Sequence, residues 1–137
     1  MPRKARYEAP GAIQHVIARG IAGAWIVADD DDRRALVGRL GRTADHFGWR
    51  LHAYCLMDTH FHVVVETPEP NLGVGMKQMT GGYAFEFNRR HARYGHLFAG
   101  RFASSVVDDE PYAIQVCTYV VLNTVRDGLV DDAADWP

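Results

Sequence analysis

The sequence HFHVVVE at residues 60–66 alternates polar and apolar side chains, and it constrains the fold more than any other stretch of this chain. Successive side chains of a β-strand point to opposite faces. The stretch therefore predicts a strand with His60 and His62 on one face and an apolar row beginning at Phe61 on the other. Two imidazoles on one face can hold a divalent metal if a third ligand comes from another element. Alone, they also fit polar neighbours on a half-exposed strand.

Length and composition predict one domain over residues 1–137. The chain has 137 residues, 47% of them hydrophobic, which is enough for one core and too little for two. Residues 1–11 are basic and contain Pro2 and Pro10, so we expect a poorly ordered arm. No apolar run approaches the roughly 18 residues that span a bilayer, and no signal-peptide core follows Met1, so we expect a soluble cytoplasmic protein without a membrane partner. Cys55 and Cys117 lack paired spacing, which predicts reduced, buried thiols.

The formal net charge of −2 gives no overall basic signature, but the charge is unevenly distributed. Residues 77–101 contain one acid, Glu86, against Lys77, Arg89, Arg90, Arg93 and Arg101. Such a run either follows a phosphate backbone or forms a solvated helix face. The segment 94–102 adds Tyr94, His96 and Phe98 among glycines. These rings either stack on unpaired bases or pack inward in a structural loop.

The coarse order of elements is β-α-β-β-α-β-α. Helical spacing predicts helices near residues 31–47 and 72–93, the second of which Gly81 and Gly82 could interrupt, and a third from 108 to 123. Strands are expected near 13–19, 49–56, 60–66 and 104–107, the middle two as a hairpin. The aspartates at 29–32 are expected to cap the first helix, and His15 to be a cross-strand or core-edge histidine. This order predicts an α+β, ferredoxin-like fold with a four-stranded antiparallel sheet and helices packed on it.

Tyr119 and Asn123 lie four residues apart on the last predicted helix and therefore on one face. If that helix crosses the strand face of His60 and His62, Asn123 can offer an amide oxygen as a third metal ligand. Tyr119 can then act as a nucleophile toward a phosphoryl group that the metal polarises. A core tyrosine and a helix-capping asparagine are the structural alternatives.

The combination of His60-Phe61-His62 with Tyr119 and Asn123 resembles the single-tyrosine HUH transposases of the IS200 type. It is most similar to those associated with repetitive extragenic palindromes (REP). The stretches PGAIQHVIARG (10–20), GHLFAGRF (95–102) and VRDGLV (125–130) extend the resemblance, in order, over nearly the whole chain.

The resemblance implies an enzyme that cleaves single-stranded or hairpin DNA, at a REP-like or insertion-sequence end, and rejoins it through a 5′-phosphotyrosine intermediate. It makes Tyr119 the catalytic nucleophile and His60, His62 and Asn123 the ligands of Mg²⁺ or Mn²⁺. Candidate DNA-binding residues are Arg89, Arg90, Arg93, His96 and Arg101. A nucleoid-associated location follows, and either a monomer or a homodimer with exchanged tyrosine helices is compatible with it.

Two departures from the family pattern concern turns. Asp58-Thr59 stands where relatives have Pro-Asn, and Asn123-Thr124 where they have Asn-Pro. Relatives often continue beyond the position of Pro137 into a basic tail, so a truncated chain or reduced target recognition is expected. The alternative functions are a domesticated hairpin-binding module with little cleavage activity and a zinc hydrolase that uses water.

Overall fold

The computed structural model describes residues 11–107, so the predicted basic arm, the last helix, Cys117, Tyr119 and Asn123 lie outside the described residues. The described elements are β1 (Ala12–Arg19), a 3-10 turn (Ile21–Gly23), α1 (Asp30–Phe47), β2 (Arg50–Leu56), β3 (His60–Thr67), α2 (Leu72–Arg90) and β4 (Ala103–Val107). Between residues 11 and 107, no helix is long and apolar enough to cross a membrane.

The four strands form one antiparallel sheet in the order β2-β3-β1-β4. The predicted β2-β3 hairpin is confirmed, and the predicted α+β fold with a four-stranded antiparallel sheet is confirmed with it. Because β1 and β3 are the two central strands, the His pair of β3 lies in the middle of the sheet.

The two sides of the sheet have different environments, as the alternation in β3 predicts. Phe61, Val63 and Val65 belong to the main core, together with apolar residues of α1 and α2. We call this side the helix face. His60, His62 and Val64 point to the other side, the histidine face, where a smaller buried cluster contains Ala53, Cys55, Met57, Val64 and Val107. The strand therefore separates the core from the candidate site.

Both ends of α1 follow from sequence chemistry. The Asp29 carboxylate accepts a hydrogen bond of 2.9 Å from the backbone nitrogen of Asp32, which is the geometry of an N-cap. At the other end Gly48 has φ of 72°, a left-handed conformation that favours glycine. The capping role predicted for the aspartates is observed for Asp29.

Helix α2 differs from its prediction at two points. It continues through Gly81 and Gly82, where a side chain at Gly82 would collide with the Arg39 guanidinium of α1. Gly82 thus leaves room for the end of the Arg39 side chain and does not break the helix. The helix also ends at Arg90 instead of Arg93, because Ala92 adopts a positive φ of 51° and the Arg93 nitrogen bonds the Asn88 carbonyl.

Candidate metal centre on the histidine face

His60 and His62 lie close together on β3. Their ring centroids are 5.0 Å apart and the rings are nearly perpendicular, at 73°. His62 is buried, with 4% of its surface exposed, whereas His60 is partly buried. Two imidazoles at this separation can be ligands of one ion, and the partly exposed ring lets a substrate approach.

A third histidine, His15 on β1, contacts the pair. Its Nε2 lies 3.0 Å from Nδ1 of His62, and the two rings stack with centroids 5.3 Å apart. The sequence predicted His15 only as a cross-strand or core-edge residue. Alternation indicates its face, but the contact depends on the register that pairs Ile17 with His62 and His15 with Val64. That register joins residues 45 to 49 positions apart, and nothing local in the sequence encodes it.

The hydrogen bonds at the two Nδ1 atoms indicate how these rings fit a metal. Nδ1 of His60 lies 3.2 Å from the Thr59 hydroxyl, and Nδ1 of His62 faces His15. Ligation by either ring would therefore use Nε2, with the proton on Nδ1. His62 would then donate to Nε2 of His15, which requires neutral His15. Burial lowers the pKa of His15 and favours that neutral form. The two histidines thus fit a metal site.

Glu66, at the far end of this face, is already paired with basic side chains. Glu66 lies 3.3 Å from the Arg50 guanidinium and 3.1 Å from Nε2 of His52.

The turn before β3, where Asp58-Thr59 departs from the family pattern, is also well bonded, since the Asp58 carbonyl accepts from the backbone nitrogen of Ile26 at 2.7 Å. Tyr119 and Asn123 lie outside the described residues, so their roles stay predictions.

A second group of potential metal ligands lies at the start of α1. Ligand atoms of Asp29, Asp32 and His91 come within 4.8 Å of one another. However, Asp29 caps the helix, and the fully buried Asp32 carboxylate binds Arg90 at 2.6 Å and His91 at 2.9 Å. Asp32 also accepts from the backbone nitrogen of Ala28. These contacts make the group an ion-pair cluster that joins the two helices, which agrees with the sequence prediction of a capping role.

The five candidate DNA-binding residues have different environments. Arg90 forms the ion pair with Asp32, and Arg93 bonds the Asn88 side chain at 3.1 Å and the His96 carbonyl at 2.9 Å. Both therefore hold the fold around the end of α2. Arg89, His96 and Arg101 are exposed. Their part in DNA binding is untested and remains a prediction.

The aromatic residues of the loop after α2 differ in their exposure to solvent. Tyr94 is 93% exposed. Phe98 instead points inward, edge to face with Phe61 at a centroid distance of 6.1 Å. Inward packing therefore applies to Phe98, and contact of any of these rings with a base stays a prediction.

Comparison with known proteins gives a consistent set of relatives. The model of the family described as IS200-like transposases matches residues 14–123. A protein of Haemophilus influenzae assigned as a REP-associated tyrosine transposase is 22% identical over 107 residues, which cover 70% of this chain and 61% of that protein. The chain thus spans about three-fifths of the length of this curated relative.

Two solved structures show the same fold. A REP-associated tyrosine transposase bound to a REP hairpin superposes with a TM-score of 0.81 at 15% identity, covering 100% of this chain and 81% of the other. A protein of Deinococcus radiodurans R1 assigned as a transposase gives 0.59 at 18% identity, covering 87% and 95%. Since the family model covers most of the sequence, this chain belongs to the IS200-like transposase family.

Proposed function

We propose that this protein is a metal-dependent enzyme that cleaves and rejoins single-stranded or hairpin DNA through a 5′-phosphotyrosine intermediate. One observation carries the proposal: in a member of the IS200-like transposase family, His60 and His62 have their rings 5.0 Å apart on one face of a strand. A REP-associated relative of the same fold was solved with a REP hairpin, which supports hairpin DNA as the substrate class.

In the proposed reaction, the Tyr119 oxygen attacks the phosphorus of one phosphodiester. The Tyr119 hydroxyl loses its proton as its oxygen forms a bond to the 5′-phosphate, the bond to the 3′-oxygen breaks, and the released 3′-oxygen takes up a proton, so that no net proton is gained or lost. The phosphate ester is conserved in the protein-DNA link, so attack by another 3′-hydroxyl rejoins a strand without a nucleotide cofactor.

The metal proposed for this site is Mg²⁺ or Mn²⁺, held by His60 and His62 through Nε2 and by the amide oxygen of Asn123. When bound, it would polarise a non-bridging oxygen of the scissile phosphate. An amide oxygen in the ligand set favours these harder ions, although imidazole by itself also suits zinc.

His15 is a positioning residue in this proposal. By accepting the Nδ1 proton of His62, it fixes the tautomer and the ring plane of a metal ligand. The stacked arrangement restrains the His62 ring further, and so preserves the geometry of the ligand before the metal or DNA arrives.

The direct test is incubation with hairpin oligonucleotides and Mn²⁺, followed by denaturing electrophoresis to detect a covalent protein-DNA adduct. The wild type should form the adduct and Tyr119→Phe should not. Tyr54→Phe is the matched control, since Tyr54 is an exposed tyrosine that lines a surface groove against α1. An adduct in Tyr119→Phe would refute the assignment of the nucleophile. Hairpin binding without any adduct would favour the DNA-binding module instead.

A mixing experiment addresses the assembly. In the proposed centre, Tyr119 reacts either at the His pair of its own chain or at that of the second subunit in a homodimer. Two inactive variants distinguish these cases. If His62→Ala and Tyr119→Phe regain adduct formation when combined, the tyrosine of one subunit reacts at the metal site of another. If the mixture stays inactive while each variant still binds the hairpin, the centre is built within one chain.

A further inference from the structure

A pocket of about 300 Å³ lies between the end of β1, the first half of α2 and the loop 98–102. It is a separate feature from the His pair. The residues that line it are Ala18, Arg19, Gly73, Lys77, Thr80, Phe98, Ala99, Gly100, Arg101 and Phe102. The predicted DNA-binding set contains only Arg101 among them.

Among residues 11–107, the charged residues that line the pocket are all basic. Arg19, Lys77 and Arg101 come from three different elements, and no carboxylate of this part of the chain lines the pocket. Within residues 11–107 neither Arg19 nor Lys77 forms an ion pair, and both are exposed. In a protein of net charge −2, three basic residues in the lining of one concavity favour an anionic ligand.

The apolar part of the lining is aromatic and held in place. Phe98 packs against Phe61 and Tyr83, with centroid distances of 6.1 and 6.3 Å, and Phe102 packs against the same core. The loop is bonded to β1, since the Ala99 nitrogen donates to the Arg19 carbonyl at 2.8 Å. The pocket wall is therefore formed before a ligand binds, which lowers the entropic cost of binding.

One residue of the pocket lining, Arg19, connects it with the strand that carries the His pair. Arg19 is the direct cross-strand partner of His60. Directly paired residues of antiparallel strands have their Cβ atoms about 4.5–5.5 Å apart. Arg19 is thus the residue through which a DNA strand at the His pair would reach the pocket.

We infer that this pocket binds one unpaired nucleotide of the DNA strand, with its phosphate near Arg19, Lys77 and Arg101 and its base against the aromatic wall. The combination of cations with aromatic rings is how proteins hold single-stranded nucleic acid, and the volume is at the lower end of small-ligand sites, which suits one nucleotide better than a base pair. The inference rests on the proposed function, because it assigns a subsite to that DNA substrate.

Fluorescence anisotropy with two labelled DNA probes tests the inference. The first probe is a blunt hairpin, and the second is the same hairpin with an unpaired thymidine tail. Phe102→Ala should weaken binding of the tailed hairpin about ten-fold and leave the blunt hairpin unaffected. Lys77→Gln, an exposed change that spares the core, should lower the salt dependence for the tailed probe by about 0.7 in log-log slope, the value for one contact with a single strand.

Matched controls are Phe85→Ala and Arg42→Gln, an exposed aromatic and an exposed cation outside the pocket. Neither should distinguish the two probes. Equal losses on both probes in the pocket variants, or no loss on either, would overturn the nucleotide subsite while the adduct assay still supports the proposed function. If the wild type binds neither probe and forms no adduct, the proposed function fails and the subsite fails with it.

Discussion

The two sides of β3 show how one strand serves packing and chemistry at once. On the helix face, Phe61 and its neighbours are buried in a core shared with α1 and α2. On the histidine face, His62 is just as buried, but its neighbours include His15 and His60, and its Nδ1 lies 3.0 Å from Nε2 of His15. Burial alone therefore does not distinguish a core residue from a site residue. The chemistry of the neighbours does, and substitutions on the two faces should have separable effects.

The largest separation is expected between adjacent residues, Phe61 and His60. Phe61→Ala should lower the free energy of unfolding by about 3–5 kcal/mol, because Phe61 is 1% exposed and its loss leaves a cavity in the main core. His60→Ala should abolish Mn²⁺ binding and change stability by less than about 1 kcal/mol. Urea unfolding and metal calorimetry measure the two effects. Similar destabilisation by both changes would contradict the division between faces.

The same comparison explains what could be predicted from the sequence. Period-two alternation at residues 60–66 and the capping chemistry of Asp29 and Gly48 are local signals, and they correctly indicate the strand, its two faces and the bounds of α1. The contact between His15 and His62 depends on strand register over a long sequence separation. The early end of α2 depends on the left-handed conformation of Ala92, which the residue types at this point of the sequence do not predict.

Of the features of the sequence, charge predicts the role of individual residues least well. The basic run from Lys77 to Arg101 contains one arginine that neutralises a buried aspartate and another that fastens a loop. Sequence shows the charges, but it does not show which carboxylate or carbonyl each one meets. Whether a basic residue of this run is available to bind DNA therefore depends on the partner that its side chain has in the fold.

Arg89 and Arg90 are neighbours on which this division can be tested. Arg90→Gln should lower the free energy of unfolding by about 1.5–3 kcal/mol, because it removes a charged partner from the fully buried Asp32. Arg89→Gln should leave stability nearly unchanged and weaken hairpin binding, with a smaller salt dependence. Thermal unfolding and anisotropy titrations provide the readouts. A stable Arg90→Gln variant with impaired DNA binding would return Arg90 to the DNA-binding set.

His15 is the corresponding test on the histidine face. His15→Phe keeps an aromatic ring beside His62 but removes the hydrogen-bond acceptor, so Mn²⁺ affinity should fall about 10- to 100-fold, as is typical when a partner of a metal-binding histidine is lost. Calorimetry in the absence of DNA measures this directly. His52→Phe is the matched control, because His52 pairs with Glu66 and not with the His pair. Unchanged affinity in His15→Phe would show that the stacked contact is structural only.

The smallest effect is expected on the helix face, at the fully buried Tyr83, whose hydroxyl donates to the Ile26 carbonyl. Tyr83→Phe should lower the free energy of unfolding by about 1 kcal/mol, since it leaves that carbonyl without its donor. Burial, and then the negative charge of Asp32, raise the pKa of Tyr83 above the usual 10.0.

The raised pKa of Tyr83 predicts the direction in which the free energy of unfolding changes with pH. Above pH 10 the unfolded chain releases the Tyr83 proton while the folded chain retains it, so the free energy of unfolding of the wild type should fall as the pH rises further. Tyr83→Phe should fall less steeply, and Tyr54→Phe, which replaces an exposed tyrosine, should follow the wild type. Parallel curves for the wild type and Tyr83→Phe would mean that the phenol ionises as readily in the folded protein. The helix face around Tyr83 would then be more accessible to water than its packing implies.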